Sequence, residues 1–165
     1  MLTVAVDCSL LTSRNPHNRP GVWAYVSSNT KKWGTTDLVY TPLIELLAVN
    51  KALEDFPDQD ICIHCDVVGV QSGSKMFGKS RFRKKRVASD FRLIAASLWA
   101  DYDKLIGGRK VEVALPPKKN KGLHGEAHAL ARRMVHNTTA NPLHDALLVL
   151  CGLPKPSEEM SCSNG

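Results

Sequence analysis

Along this chain the hydrophobic period changes in a way that few architectures accommodate: three β-rich runs come first, then helical stripes alternate with two more short runs. Leu2 to Val6 is an apolar run stopped by Asp7, and Val22 to Val26 follows a Pro/Asn/Gly-rich link. Lys31 to Gly34 is a shorter third strand, with Trp33 on one face, ahead of a Thr35-Thr36-Asp37 turn signal. Thr41 then caps a helix that takes Pro42 and Glu45 in its first turn, with Leu43, Leu46, Leu47, Leu53 and Phe56 at helical spacing and Pro57 closing it. Asp60 to Cys65 returns to strand and ends at Asp66, and Val67 to Gln71 is a short helix running into Gly73.

From Val87 the residues Phe91, Ile94, Ala95, Leu98, Trp99, Tyr102, Leu105 and Ile106 form an apolar stripe at helical spacing, ended by Gly107-Gly108. Lys110 to Leu115 alternates like a half-buried strand and stops at Pro116-Pro117. A further helix turns Ala127, Leu130, Ala131, Met134 and Val135 inward, and Asn141-Pro142 opens a last short helix through Leu150. The order strand, strand, strand, helix, strand, helix, helix, strand, helix specifies an α/β fold: a mixed five-stranded sheet carrying helices on its faces. In the usual version of this order the first strand is central and parallel to the fourth, and ligands gather at the carboxyl ends, where Asp7 and Asp66 terminate those two strands.

At 165 residues one compact domain is expected, over residues 1–153, with 154–165 as a disordered tail. No apolar run approaches the roughly 20 residues that span a bilayer and no secretion signal is evident, so a soluble, cytoplasmic protein without membrane contact is expected. The five cysteines lack a disulfide framework, and Cys62 and Cys65, though spaced as CxxC, lie in a strand-like run that points them to opposite faces. The formal charge of +6 fits a polyanionic partner. Its distribution is more telling, because Lys75, Lys79, Arg81, Arg83, Lys84, Lys85 and Arg86 crowd one stretch without an acid, and Lys118, Lys119 and Lys121 form a smaller cluster.

Taken singly, Asp7 and Asp66 serve turn chemistry as readily as catalysis. Their convergence at the ends of adjacent parallel strands, with Glu45 on the helix leading into the second, is harder to reconcile with turns. Three carboxylates in one place repel one another unless a cation sits between them, and hard oxygen ligands suit magnesium-class ions. Two such ions about 4 Å apart are the usual device for cutting a phosphodiester with water.

The residues around these acids resemble the ribonuclease H family over roughly 1–137. Val6-Asp7-Cys8-Ser9 through Asn15-Pro16 and Arg19-Pro20-Gly21-Val22-Trp23-Ala24 is similar to its opening, and Ile44-Glu45-Leu46-Leu47-Ala48 to its acidic helix. His64-Cys65-Asp66-Val67-Val68-Gly69-Val70 resembles its second strand end, and His124-Gly125-Glu126-Ala127-His128-Ala129-Leu130-Ala131-Arg132 its closing helix. The resemblance implies the strand order 3-2-1-4-5 with helices on both faces. It further implies a monomeric endonuclease that cuts the RNA strand of RNA–DNA hybrids with two Mg2+ or Mn2+ ions.

By the same resemblance Asp7, Glu45, Asp66 and His128 hold the metals, His128 standing where the family has Asp. An imidazole brings no negative charge and favours manganese or zinc over magnesium more than a carboxylate does. Glu126 competes for that fourth position, but two residues along a helix turn a side chain by about 200°, so only one of the two faces the site. His124 falls where the family carries a loop histidine for proton transfer or product release. Lys79, Arg81, Arg83, Lys84, Lys85 and Arg86 stand where some members grip the hybrid, and Ser9, Asn15 and Thr41 are placed to contact backbone or 2′-hydroxyls. Cys8 replaces the usual Gly, and Thr41-Pro42 stands where many members place substrate-gripping residues. Two alternatives stay open: a Holliday-junction resolvase-like nuclease, and a hybrid-binding module with weakened catalysis.

Overall fold

The computed structural model describes residues 1–10, 21–71, 85–119 and 121–139, the side chains of 85–88 and 138–139 excepted. Strands β1 (Leu2–Leu10), β2 (Gly21–Ser27) and β3 (Lys31–Thr36) form an antiparallel meander. Helix α1 (Thr41–Asp55) leads to β4 (Ile61–His64), and α2 (Val68–Gln71) and α3 (Lys85–Ile106) lead to β5 (Val111–Ala114). Helix α4 (Gly122–Thr139) follows. The sheet order is β3-β2-β1-β4-β5, with β4 parallel to both β1 and β5, and the helices cover both faces. The last helix expected from Asn141, the tail from residue 154, Asn15, Lys79, Arg81, Arg83 and Lys84 lie outside the described residues.

Strand alternation divides the interior in two. Val4, Val6, Tyr25, Ile61 and Ile63 point to the face covered by α1 and α3, where Leu43, Leu46, Leu53, Phe91, Ala95 and Trp99 complete the larger core. Ala5, Val22, Ala24 and Val26 point to the other face and meet Ala127, Leu130, Ala131 and Val135 of α4. The alanines on both sides of that second contact let the α4 backbone come close to the sheet. Between the strands, Trp23 lies over its cross-strand partner Gly34, where an added Cβ would meet the indole ring at 2.5 Å.

Three local expectations need correction. The helix opens at Thr41 after a non-helical Tyr40, whose carbonyl takes the amides of Leu43 and Ile44, so Thr41 is the first helical residue and not its cap. No acid lies in the first turn, which puts Glu45 at the start of the second. Strand β1 does not stop at Asp7, because Asp7, Cys8, Ser9 and Leu10 continue to pair with Ala24, Trp23, Val22 and Gly21 of β2. What ends earlier is the parallel ladder with β4, whose last pair is Ala5 with His64. Asp7 therefore has a strand on one side only, and a notch opens between β1 and the chain leaving β4.

A carboxylate cluster at the end of the parallel ladder

Asp7 is fixed by that geometry. Its Oδ1 accepts the Cys8 amide at 2.6 Å and its Oδ2 meets Nδ1 of His128 at 2.8 Å. An ionised carboxylate only accepts, so Nδ1 is the donor in this contact and Nε2 is the ring nitrogen turned away from Asp7. The His128 side chain is one-third exposed, against less than a tenth for Asp7, so the imidazole reaches inward from solvent to the acid. Along α4, Glu126 turns away to pair with Lys31 at 2.7 Å on the surface.

Glu45 enters the same place from the opposite face. Helix α1 is wedged between the sheet and α3, which buries it on several sides and leaves Glu45 only 1% exposed. Burial holds its carboxyl well above the usual carboxylate range, and the negative charges of Asp7 and Asp66 push it further. The Cys65 thiol opposes this by donating to Oε2 at 3.3 Å. Asp66, two residues past the end of β4, is partly exposed and takes the ammonium of Lys119 at 2.9 Å. The Lys119 proton is held more tightly by that bond, and also by the fields of Asp7 and Glu45. Asp7, Glu45, Asp66 and His128 thus meet in one neighbourhood.

Two thiols line it as well, neither of which the sequence marked as part of a site. Cys8 follows Asp7 on β1, its Sγ 3.7 Å from the Thr41 carbonyl, and burial followed by Glu45 and Asp7 raises its thiol far above the ordinary range. Cys65 is raised chiefly by burial and then by Glu45. For Cys65 a signal existed: alternation places it on the α1 face next to Asp66. Lys119 offered no comparable signal, since a lysine in a loop after Pro116-Pro117 says nothing of its target.

The other expected residues are placed as follows. His124 is not in a loop: it is the third residue of α4, buried, and lines a pocket of about 280 Å³ with His64, Pro116, Pro117, Lys118 and Lys121. Ser9 is half-buried opposite Val22, and Thr41 is exposed at the start of α1. Lys85 and Arg86 open α3, but their side chains are not among those described.

The carboxylate oxygens of Asp7, Glu45 and Asp66 are hard donors of the kind that magnesium-class ions take. Oxygens of Asp7 and Glu45 and the Cys8 sulfur lie within 4.8 Å of one another. Buried like charges facing one exposed lysine are the arrangement that a dication relieves.

No family model matches the sequence, and no curated protein matches it either. Among solved structures, LC9-RNase H1, a type 1 RNase H with the type 2 active-site motif, superposes with a TM-score of 0.61 at 14% identity, over 84% of this chain and 73% of that one. RNase H1 from the halophilic archaeon Halobacterium salinarum NRC-1 gives 0.50 at 19% identity, over 82% and 98%. The protease-reverse transcriptase of prototype foamy virus gives 0.57 at 14%, over 82% of this chain but only 20% of that longer one. At such identities the likeness is one of backbone alone, and it agrees with the strand order and the helices: this chain has the ribonuclease H fold.

Proposed function

We propose that this protein is a divalent-metal-dependent endonuclease that hydrolyses the RNA strand of RNA–DNA hybrids. The observation that carries the reading is the convergence of Asp7, Glu45, Asp66 and His128 from β1, α1, the end of β4 and α4 on one notch at the carboxyl edge of the sheet. Asp7, Glu45, Asp66 and His128 would hold two Mg2+ or Mn2+ ions, which supply Lewis-acid stabilisation of the attacking and leaving oxygens. Asp7 orients the His128 ring, and Nε2 is the atom left to ligate. Lys119 neutralises Asp66 in the metal-free protein and must leave it when a cation arrives. His124 is assigned to proton transfer or product release. Ser9, Asn15 and Thr41 are assigned to the sugar-phosphate backbone, and the basic block from Lys79 to Arg86 to the phosphates of the hybrid, where cations release counterions and make binding strongly salt-dependent. The protein is taken to act as a monomer.

The test is cleavage of an end-labelled RNA–DNA hybrid, with duplex DNA and a four-way junction in parallel, in Mg2+ and in Mn2+. Cleavage confined to the RNA of the hybrid, at least as fast in Mn2+ as in Mg2+, is the expected result. Asp66→Asn should retain hybrid binding and lose cutting. Intact RNA with both ions, in protein shown to be folded, sinks the proposal; cutting of the junction alone replaces it with a resolvase.

A further inference from the structure

The catalytic reading leaves Cys8 and Cys65 without a task, although both press on its most buried acid. On β1 the side chains of Val4 and Val6 face α1, and Cys8 continues that series; on β4, Ile61 and Ile63 face α1, and Cys65 continues theirs. The two thiols therefore stand on neighbouring parallel strands, on one face, Cys65 one residue and Cys8 three residues past the last ladder pair. Glu45 descends onto them from α1, with Cys65 Sγ 3.3 Å from its Oε2. Cys8 Sγ and ligand oxygens of Asp7 and Glu45 lie within 4.8 Å of one another. Buried cysteines that merely pack behave as small apolar groups among apolar neighbours. These two are set against carboxylates.

Two sulfurs with two carboxylate oxygens are a donor set for a soft or borderline cation, whereas magnesium avoids sulfur. Zinc bonds to sulfur near 2.3 Å and to carboxylate oxygen near 2.1 Å, so tetrahedral donors stand roughly 3.5 Å apart. The Cys65–Glu45 contact already has that span, the Asp7, Cys8 and Glu45 donors lie within 4.8 Å of one another and close by up to about 1.3 Å, and Cys65 must turn toward them from its bond to Glu45. We propose that Cys8, Cys65, Glu45 and Asp7 form a seat for a thiophilic dication such as zinc or cadmium, which overlaps the hard-ion site and excludes the catalytic metals. Each thiol that binds gives its proton to solvent as the metal–sulfur bond forms, with no change of oxidation state. The seat itself is independent of the nuclease reading; the inhibition that follows from occupying it rests on that reading.

The experiment titrates metal-free, reduced full-length protein with Co2+ and with Cd2+ and reads the thiolate-to-metal charge-transfer band. A saturating band at one ion per chain is expected. It should be lost in Cys8→Ser/Cys65→Ser, which keeps Cys62, Cys151 and Cys162 as an internal control. Each single serine variant should bind about 10- to 100-fold more weakly. Cys8→Ala/Cys65→Ala, checked by circular dichroism, guards against a folding artefact. Excess Mg2+ should raise the apparent Kd for Cd2+. In the cleavage assay Zn2+ should inhibit the parent far more strongly than the double variants. No band in the parent, or an undiminished band in both double variants, overturns the proposal whatever the activity. A band that behaves as expected in a protein that cuts nothing supports the seat and removes only the nuclease reading.

Discussion

Replacing Glu45 by glutamine separates the two effects that a charge cluster has on a protein. The carboxylate is 1% exposed and its ligand oxygen lies within 4.8 Å of that of Asp7. At an effective dielectric of about 20, two unit charges at that distance repel by about 3 kcal/mol. The amide of Glu45→Gln keeps the shape and an oxygen for the Cys65 thiol while removing the charge. In chelator at neutral pH the variant should therefore be more stable than the parent by about 3 kcal/mol, or roughly 6 to 12 °C in Tm for a chain of this size. Because folding raises the Glu45 carboxyl above its ordinary value, the parent is most stable while that group is protonated and loses stability as pH rises out of the carboxylate range. The advantage of the variant should accordingly vanish below about pH 4 and grow with rising pH. Mn2+ at about 1,000 times its Kd reverses the ranking: it stabilises the parent by about 4.1 kcal/mol, and the variant should gain little and lose hybrid cleavage. Urea unfolding with and without Mn2+ across pH checks this. A variant less stable than the parent in chelator at neutral pH would refute the reasoning, since Glu45 would then be a net stabilising group and not one held at a cost for a cation.

Three further outcomes follow from single contacts. His128→Asp adds the missing negative charge beside Asp7 and should raise the ratio of Mg2+- to Mn2+-supported cleavage, measured at matched saturation; an unchanged ratio removes His128 from the ligand set. Arg109 ties together the ends of α1 and α3 by donating to the carbonyls of Leu53 and Leu105 at 2.8 Å and to that of Phe56, so Arg109→Ala should cost about 2–3 kcal/mol in urea unfolding without altering metal dependence. Tyr25 donates to Asp55, which also holds Lys32 at 2.8 Å, and burial followed by that acid raises its phenol. Tyr25→Phe should lose about 1.5 kcal/mol at neutral pH, and the deficit should shrink above about pH 10, where the parent alone bears the cost of its raised phenol.

The element order and sheet were legible because each segment carries a period its burial enforces: Val4 and Val6 against Ala5 on β1, and the Phe91 to Trp99 stripe on α3. Asp7 and Asp66 were legible because each follows an apolar run, and Glu45 because it lies on the helix between those runs. What the sequence concealed is how far pairing extends on each side of a strand. Asp7 reads as a stop, yet Cys8, Ser9 and Leu10 after it remain in a strand because β2 still offers an edge. The burial of Glu45 was hidden too. The leucines of α1 suggest one apolar stripe, whereas Ile44, Ala48, Val49 and Ala52 are also buried because the helix is covered by α3 as well as by the sheet. Small and weakly apolar side chains such as alanine carry too little signal to reveal a second covered face.

That unequal pairing also gives the four groups of the site unequal freedom. Asp7 sits in a strand hydrogen-bonded to β2, with its two oxygens occupied by the Cys8 amide and the His128 ring, and Glu45 is enclosed on α1. Asp66 stands beyond the last pair of β4, where the Gln71 amide holds the neighbouring Cys65 carbonyl at 2.7 Å and its own carboxylate is held by the exposed Lys119. A cation reaching Asp7 and Glu45 meets donors already in place, while one that engages Asp66 must first displace an ammonium. In the proposed mechanism the two metals are therefore not equivalent. Asp7 and Glu45 would hold one ion with donors already in place, and Asp66 would help to hold the other once Lys119 has let it go, leaving that lysine free for the phosphates of the substrate.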